Sequence, residues 1–367
     1  ITFIAGVILA RLLSPTEFGL VGMTTAFIAI SNTFINGGFS NALIRKKSCT
    51  DVDYSTVFYF NLAVGLLFFL ILQISAPAIA RFFEQTSLTN IIRVISLVLI
   101  IDSFSIIQRT ILTKRVDFKL QSRISIVSSL LSGTVAISMA LLGFGYWSLV
   151  AQRLVNQACY MLLLWALNSW RPLLVFSSAS FKEHFGFGSK LLASGLIDSL
   201  YRIVYYLVIG KFFSAKELGY YMKSDGFKSI PSLYLNSIIG RVSYPILASM
   251  QDDKQRLKAS YQKLIRSTMF ITFVLMVGMA AVSEPMIITL IGEKWRPSII
   301  YLQLLCFTGM LYPLHALNLN MLQLSGRSDL FLKLEIIKKA LAVPTIFIGI
   351  YWGIKMMIVG MIINGWL

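Results

Sequence analysis

Eight basic residues, Arg93, Arg123, Arg153, Arg202, Lys223, Lys228, Lys338 and Lys339, stand inside otherwise apolar stretches of this chain, several with a carboxylate close by. An ionisable side chain surrounded by hydrocarbon is costly, so it is kept to pair with another group, to meet a ligand or to carry an ion. Spacing sorts these uses. Asp198 and Arg202 are four residues apart, with Tyr205 continuing the same helix face. They read either as a self-satisfying ion pair or as a cavity face on which Arg202 meets an oxyanion. Asp225 and Lys228, three apart, share a face, whereas Lys223 points away and snorkels toward the outer interface. Arg153 is followed by Asn156 and Gln157, a polar stripe that suits interhelical hydrogen bonds or a cavity lining. Asp102, Ser105 and Arg109 recur at helical spacing, with Arg93 nearer the outer end. A carboxylate as deep as Asp102 either pairs with arginine or carries a coupling proton, which leaves coupling to a proton or sodium gradient open. Guanidinium forks match phosphate oxygens bidentately, and dry surroundings strengthen that attraction. Arg153, Arg202, Lys228, Arg93 and Lys223 are therefore the candidate substrate-contacting cations, and Asp102, Asp198 and Asp225 the candidate coupling or ion-pair carboxylates.

Catalysis has no comparable support. The chain carries no GxSxG, HExxH, Walker loop or dinucleotide fingerprint. Cys49, Cys159 and Cys306 lie far apart with no metal-ligand or disulfide spacing, so neither metal nor cofactor is expected. His315, with Asn318 and Gln323 nearby, reads as interhelical glue, and Glu335, Lys338 and Lys339 form a set that satisfies itself along one helix.

The elements that position these groups must be membrane helices. Charged residues make up 13% of the 367, about half the roughly 25% of soluble domains, and mean hydropathy is +0.75. That composition excludes an ordinary water-soluble enzyme. Apolar runs bounded by charge and Gly/Pro punctuation predict spans near 1–13, 18–40, 55–80, 88–112, 120–142, 146–168, 186–213, 217–241, 264–290, 298–323, 330–352 and 354–367. The first and last are short of a full crossing, so the chain is expected to be a fragment missing both ends. Pro231, Pro285, Pro313 and Pro344 interrupt apolar runs and predict kinks. Loops on one side hold 18 Lys and Arg against 7 on the other, which puts the N-terminus in the cytoplasm. The formal charge of +17 is then largely a topology signal, and nucleic acid is not an expected partner.

A repeat organises the spans. Ile8-Leu9-Ala10-Arg11-Leu12-Leu13-Ser14-Pro15-Thr16-Glu17-Phe18-Gly19 aligns without gaps to Val208-Ile209-Gly210-Lys211-Phe212-Phe213-Ser214-Ala215-Lys216-Glu217-Leu218-Gly219. Each copy reads as a helix stop followed by a Ser-x-x-Glu capping box. The shift equals six spans, so both copies cross in the same direction. The expected fold is an all-α polytopic membrane protein with two parallel-repeat six-helix lobes, residues 1–168 and 186–367, joined by a cytoplasmic linker at 169–185. Thr25 and Ile28 stand where the second copy has Asp225 and Lys228, so that charge belongs to one lobe only.

The two-copy turn and the downstream Gln251-Asp252-Asp253-Lys254-Gln255-Arg256-Leu257 resemble bacterial polysaccharide flippases of the multidrug/oligosaccharidyl-lipid/polysaccharide exporter superfamily. The resemblance implies twelve to fourteen helices when complete and a place in the bacterial inner membrane. It also implies export of undecaprenyl-diphosphate-linked oligosaccharide for O-antigen, capsule or exopolysaccharide, by alternating access about a midplane cavity. Substrate and membrane lipids are the expected partners, other polysaccharide assembly proteins are candidates, and a monomer suffices. Three readings compete with it, one of them a structural membrane scaffold, in which Arg202 and Lys228 can be neutralised without loss of activity. A small-molecule exporter of the same superfamily would favour acidic cavities. A membrane polysaccharide polymerase needs catalytic carboxylates or a substantial hydrophilic region, which the short polar connections near 169–185 and 242–263 do not provide.

Overall fold

A computed structural model describes residues 2–46, 48–238, 247, 250, 253–324 and 328–366. The described residues are helical almost throughout, with no strand among them. In order they are α1 (Thr2–Leu12), α2 (Pro15–Asn36), α3 (Phe39–Arg45), α4 (Asp51–Phe82), α5 (Leu88–Ile95), α6 (Leu97–Lys114), α7 (Phe118–Leu141), α8 (Trp147–Leu167), α9 (Ser178–Phe212) and α10 (Ala215–Ile238). There follow α11 (Lys254–Ala281), α12 (Ser283–Ile291), a short 3₁₀ turn at Glu293–Trp295, α13 (Ser298–Met310), α14 (Tyr312–Leu324), α15 (Ser328–Trp352) and α16 (Ile354–Trp366). Among the described residues, helix runs through each segment expected to span.

Among the described residues, seven helical stretches are long and apolar enough to cross a membrane: Pro15–Arg45, Asp51–Phe82, Leu88–Lys114, Phe118–Leu141, Leu191–Phe212, Gln255–Ala281 and Ser298–His315. Their surfaces carry what a bilayer requires. Leu66, Leu67, Leu70, Ile71 and Ile74 are exposed along α4, and Phe270, Ile271, Val274 and Leu275 along α11. The interior combines large apolar residues such as Phe39, Leu99 and Ile106 with hydroxyl residues such as Ser103, Ser105 and Thr110, and small residues let helices approach closely where apolar burial cannot drive them together in lipid. A Cβ on Gly65 would lie 2.4 Å from the Ser103 hydroxyl, so α4 and α6 touch through a glycine.

Local chemistry sets the boundaries. Ser14 caps α2, with the Glu17 carboxylate accepting from the Ser14 backbone N–H at 2.6 Å and the Glu17 N–H donating to Ser14 Oγ at 3.4 Å. The second copy repeats half of this visibly, the Glu217 N–H donating to Ser214 Oγ at 3.1 Å. The two copies also touch: a Cβ on Gly19 would fall 1.6 Å from the Ala215 carbonyl oxygen. Only glycine permits that approach.

Several expected spans are broken. The one expected over 18–40 divides at Gly37 and Gly38, both left-handed, where the chain turns from α2 into α3. The one over 88–112 divides at Ser96, whose hydroxyl accepts from Gln73 Nε2 at 2.9 Å. Pro285 and Pro313 lie in the first turns of α12 and α14, where a missing N–H costs nothing, so they start new helices instead of kinking old ones. Pro231 and Pro344 do stand inside their helices.

Packing divides the chain into two compact units, Ile1–Leu218 and Gly219–Leu367. From the sequence repeat the division is expected at 169–185. The criteria differ because α9 packs on α2, α3 and α4 and so belongs to the first unit. Part of that linker is already helix, since α9 begins at Ser178 with Ser177 as its cap. The remainder is stitched down. Leu173 N–H donates to Ser55 Oγ at 2.9 Å, Ser177 N–H to Thr56 Oγ1 at 3.1 Å, and Gln108 Nε2 to the Trp170 carbonyl at 3.1 Å. Beyond the far end of α4, Lys211 donates to the Glu84 carboxylate at 2.8 Å and holds it below its ordinary pKa.

Candidate functional site

In the first unit the polar station is built by α6 and α8, which pack along one another. Asp102 and Gln157 face each other across that seam, and Gln157 Nε2 donates to Asp102 Oδ1 at 2.6 Å. Arg153 lies one turn before Gln157 on α8, half-buried, and Arg109 lies two turns beyond Asp102 on α6. These two arginines supply the positive field at Asp102. The carboxylate is thus satisfied by an amide, with guanidinium charge nearby. The stripe after Arg153 is split between partners. Asn156 Nδ2 donates to Ser132 Oγ on α7 at 3.2 Å, while Gln157 serves α6. Hydrogen bonds between helices account for both amides and leave Arg153 as the cation of the group.

Arg93 ends α5 with an exposed side chain, and the structure does not bring it to the Asp102 station. Asp198 is exposed on α9. Arg202 lies in the same helix, but its side chain is outside the described residues, as are Arg241 and the Glu335 side chain, so the expected Asp198–Arg202 geometry is not described.

In the second unit the station is built on α10. Lys228 Nζ lies 2.7 Å from Asp225 Oδ1, an ion pair between residues one turn apart, with side chains 18% and 23% exposed. The Lys228 stem runs along α13, where a Cβ on Gly309 would come within 3.2 Å of Lys228 Cδ. Cys306, one turn earlier on α13, is fully buried. Ser224 Oγ donates to the Ser298 carbonyl at 2.7 Å and fastens α10 to the start of α13. Lys223 points away from the pair and stands over Trp295, its Nζ 5.8 Å from the ring centroid. Trp295 is completely buried, so this cation–π contact holds Lys223 against protein. Elsewhere in this unit His315 Nε2 lies 3.1 Å from the Gly365 carbonyl, a link between α14 and α16.

α8 and α10, which carry Arg153, Lys223 and Lys228, are not among the seven strongly apolar stretches. Sequence spacing exposes Asp225–Lys228, because both ends lie on one helix. It does not expose Trp295 beneath Lys223 or Gly309 beside Lys228, whose partners come from other helices.

The first unit also contains a cavity of about 260 Å³ lined by Asn36, Gly38, Ser40, Arg109, Thr110 and Thr113, with Asn41 and Ile44 at its wall. Its lining is polar with one guanidinium. Such an arrangement can hold a hydrated or anionic group but supplies no nucleophile with an adjacent base.

Comparison with known proteins gives concordant findings. A family model described as polysaccharide biosynthesis protein matches residues 8–300. The teichuronic acid biosynthesis protein TuaB of Bacillus subtilis (strain 168) is 30% identical over 88% of this chain and 67% of its own length. The succinoglycan biosynthesis transport protein ExoT of Rhizobium meliloti (strain 1021) is 28% identical over 85% of this chain and 63% of its own. Among solved structures, the lipid II flippase MurJ in an inward closed conformation superposes with a TM-score of 0.80, covering 99% of this chain and 83% of that one at 14% identity. That last likeness is one of fold.

Proposed function

This chain belongs to the polysaccharide biosynthesis protein family, and from that premise we propose that it flips undecaprenyl-diphosphate-linked oligosaccharide repeat units across a bacterial plasma membrane, by alternating access, for assembly of a surface polysaccharide. The carrying observation is that relatives named for polysaccharide biosynthesis, one of them a transport protein, align along most of the chain. The molecule is a multi-pass membrane protein and a transporter, not an enzyme. In this reading the helices make twelve crossings with the N-terminal side in the cytoplasm, as the excess of Lys and Arg on one set of loops favours. Its basic residues are the natural contacts for a lipid diphosphate, because guanidinium and ammonium donors in a dry setting bind phosphate oxygens strongly. Arg153 and Lys228 carry that role, with Arg202, Lys223 and Arg93 as further contacts. Asp102, Asp198 and Asp225 balance them, and in this reading Asp102 exchanges a coupling proton. A small-molecule exporter would need an acidic lining, whereas the half-buried stations hold four basic residues, Arg109, Arg153, Lys223 and Lys228, against Asp102 and Asp225.

The test is complementation of a polysaccharide-export mutant by the full-length protein and by Arg153→Ala, Arg202→Ala and Lys228→Ala, with membrane abundance measured for each. The expected result is abundant protein, loss of surface glycan and accumulation of lipid-linked repeat units inside. Normal export by all three variants would move the substrate site elsewhere.

A further inference from the structure

A second polar cluster lies where the turn after α3, the first turn of α4 and the first turns of α9 meet, all within the first unit. We propose that Asp53, Glu183 and His184 form a binding site for a divalent transition-metal ion of the zinc type, with Lys46 as the competing internal cation. The proposal stands independently of the transport reading.

The ligand atoms of these three residues all lie within 4.8 Å of one another. Asp53 is 4% exposed and His184 3%. Asp53 Oδ2 is already engaged, accepting from the Thr50 N–H at 3.0 Å and lying 3.1 Å from Lys46 Nζ. Its other oxygen, Oδ1, accepts from Ser180 Oγ at 2.6 Å and lies 3.5 Å from His184 Nε2. That nitrogen is buried and makes no hydrogen bond. A buried polar atom left in this state costs about 1–3 kcal/mol, so it calls for an explanation.

A metal ion supplies one. Two ligands each about 2.0–2.1 Å from a tetrahedral zinc lie roughly 3.4 Å apart, close to the separation found between Nε2 and Oδ1. One imidazole and two carboxylates make a donor set suited to zinc and its neighbours. The Ser180 hydrogen bond fixes the Asp53 carboxylate from outside, as supporting contacts do at metal centres.

Lys46 explains how the cluster remains stable without a metal. Its ammonium lies 2.9 Å from Glu183 Oε2 as well as beside Asp53, so it supplies one positive charge against two negative ones. The Lys46 side chain is 27% exposed and that of Glu183 57%, so both can turn toward water. A dication displacing Lys46 would balance the two carboxylates in full. It would also pin the start of α9 to α4 along the seam already held by Ser55 and Thr56. The ligands come from two regions far apart in the sequence, so no spacing motif announces them.

The test uses full-length protein in detergent, with its affinity tag removed, stripped by a chelator and then equilibrated with Zn²⁺ or Co²⁺. Metal content after gel filtration is read by mass spectrometry, and the visible spectrum reports the Co²⁺ geometry. Wild type should retain metal stoichiometrically and show a tetrahedral Co²⁺ spectrum. His184→Gln and Glu183→Gln should bind at least about tenfold more weakly, the scale on which even supporting contacts act at metal sites. Lys46→Met should bind as tightly as wild type or tighter. Because Glu183 is exposed, Glu183→Gln tests the site even if His184→Gln does not elute monodisperse. Equal retention by wild type and Glu183→Gln, or no retention by wild type, would overturn the proposal.

Discussion

Asp102 and Asp225 are both half-buried carboxylates on helices, yet the two units satisfy them differently. In the first unit Asp102 reaches across a helix seam to the amide of Gln157, with Arg153 and Arg109 contributing field and no direct pairing. In the second unit Asp225 is neutralised by Lys228 one turn along the same helix. The turns leading into these regions are copies, Ser14 to Gly19 and Ser214 to Gly219, but Thr25 and Ile28 replace Asp225 and Lys228 in the first copy. The repeat therefore specifies backbone, through caps and close approaches, while charge is placed separately in each unit. A fold requirement shared by both units would have been repeated; the unrepeated charges are where transport chemistry should be sought.

The largest expected effect breaks the shared part. Gly19→Val places side-chain atoms where the Ala215 carbonyl already stands, and a backbone oxygen cannot yield as a flexible side chain can. Overpacking of this kind costs about 1–3 kcal/mol or more, and here loss of monodisperse protein on size-exclusion chromatography is expected. Gly6→Val, with nothing within 4 Å of its Cβ position, should elute as wild type.

Next comes Lys228→Met. Removing the ammonium from this half-buried pair should cost stability, up to about the 3–5 kcal/mol of breaking a fully buried ion pair. Adding Asp225→Asn should recover most of that stability, read as thermal unfolding in detergent. Transport should stay lost in the double variant if Lys228 meets substrate, and should return if the pair is structural.

A smaller loss follows from Gln157→Leu, which removes one hydrogen bond to a carboxylate and should cost about 1.5–3 kcal/mol. Because Arg153 remains in place, its transport defect should be milder than that of Arg153→Ala in the same complementation assay. The smallest change is at Glu84, which is fully exposed. Its pKa is depressed by the hydrogen bond from Lys211, so whatever stability it adds is present above the ordinary carboxylate pKa and fades as pH falls through the depressed value. Glu84→Gln should leave thermal stability near neutral pH unchanged within error.

Much of the helix pattern was legible because hydrocarbon imposes it: long apolar runs must be helical, and charge, Pro and Gly mark their ends. The turn at Ser14 was legible in detail, since a capping box is local. What escaped was tertiary. The breaks at Gly37–Gly38 and Ser96 follow from neighbours, α9 approaching Gly38 and Gln73 reaching Ser96. The early start of α9 depends on contacts with α4 that lie far away in sequence. The same divide runs through the candidate site. Asp225–Lys228 could be read from its three-residue spacing, whereas Gln157 beneath Asp102 and Trp295 beneath Lys223 required the packing of separate helices.

The proposed activity moves a diphosphate-linked glycan from one leaflet to the other. It is tested most directly by reconstituting the full-length protein into sealed vesicles that contain lipid-diphosphate oligosaccharide. The fraction of glycan open to an externally added glycosidase is then followed over time. The accessible fraction should rise beyond the outer-leaflet share only when protein is present, and Lys228→Met with Asp225→Asn should abolish the rise. An accessible fraction that stays at the outer-leaflet share in vesicles containing folded wild-type protein would contradict it.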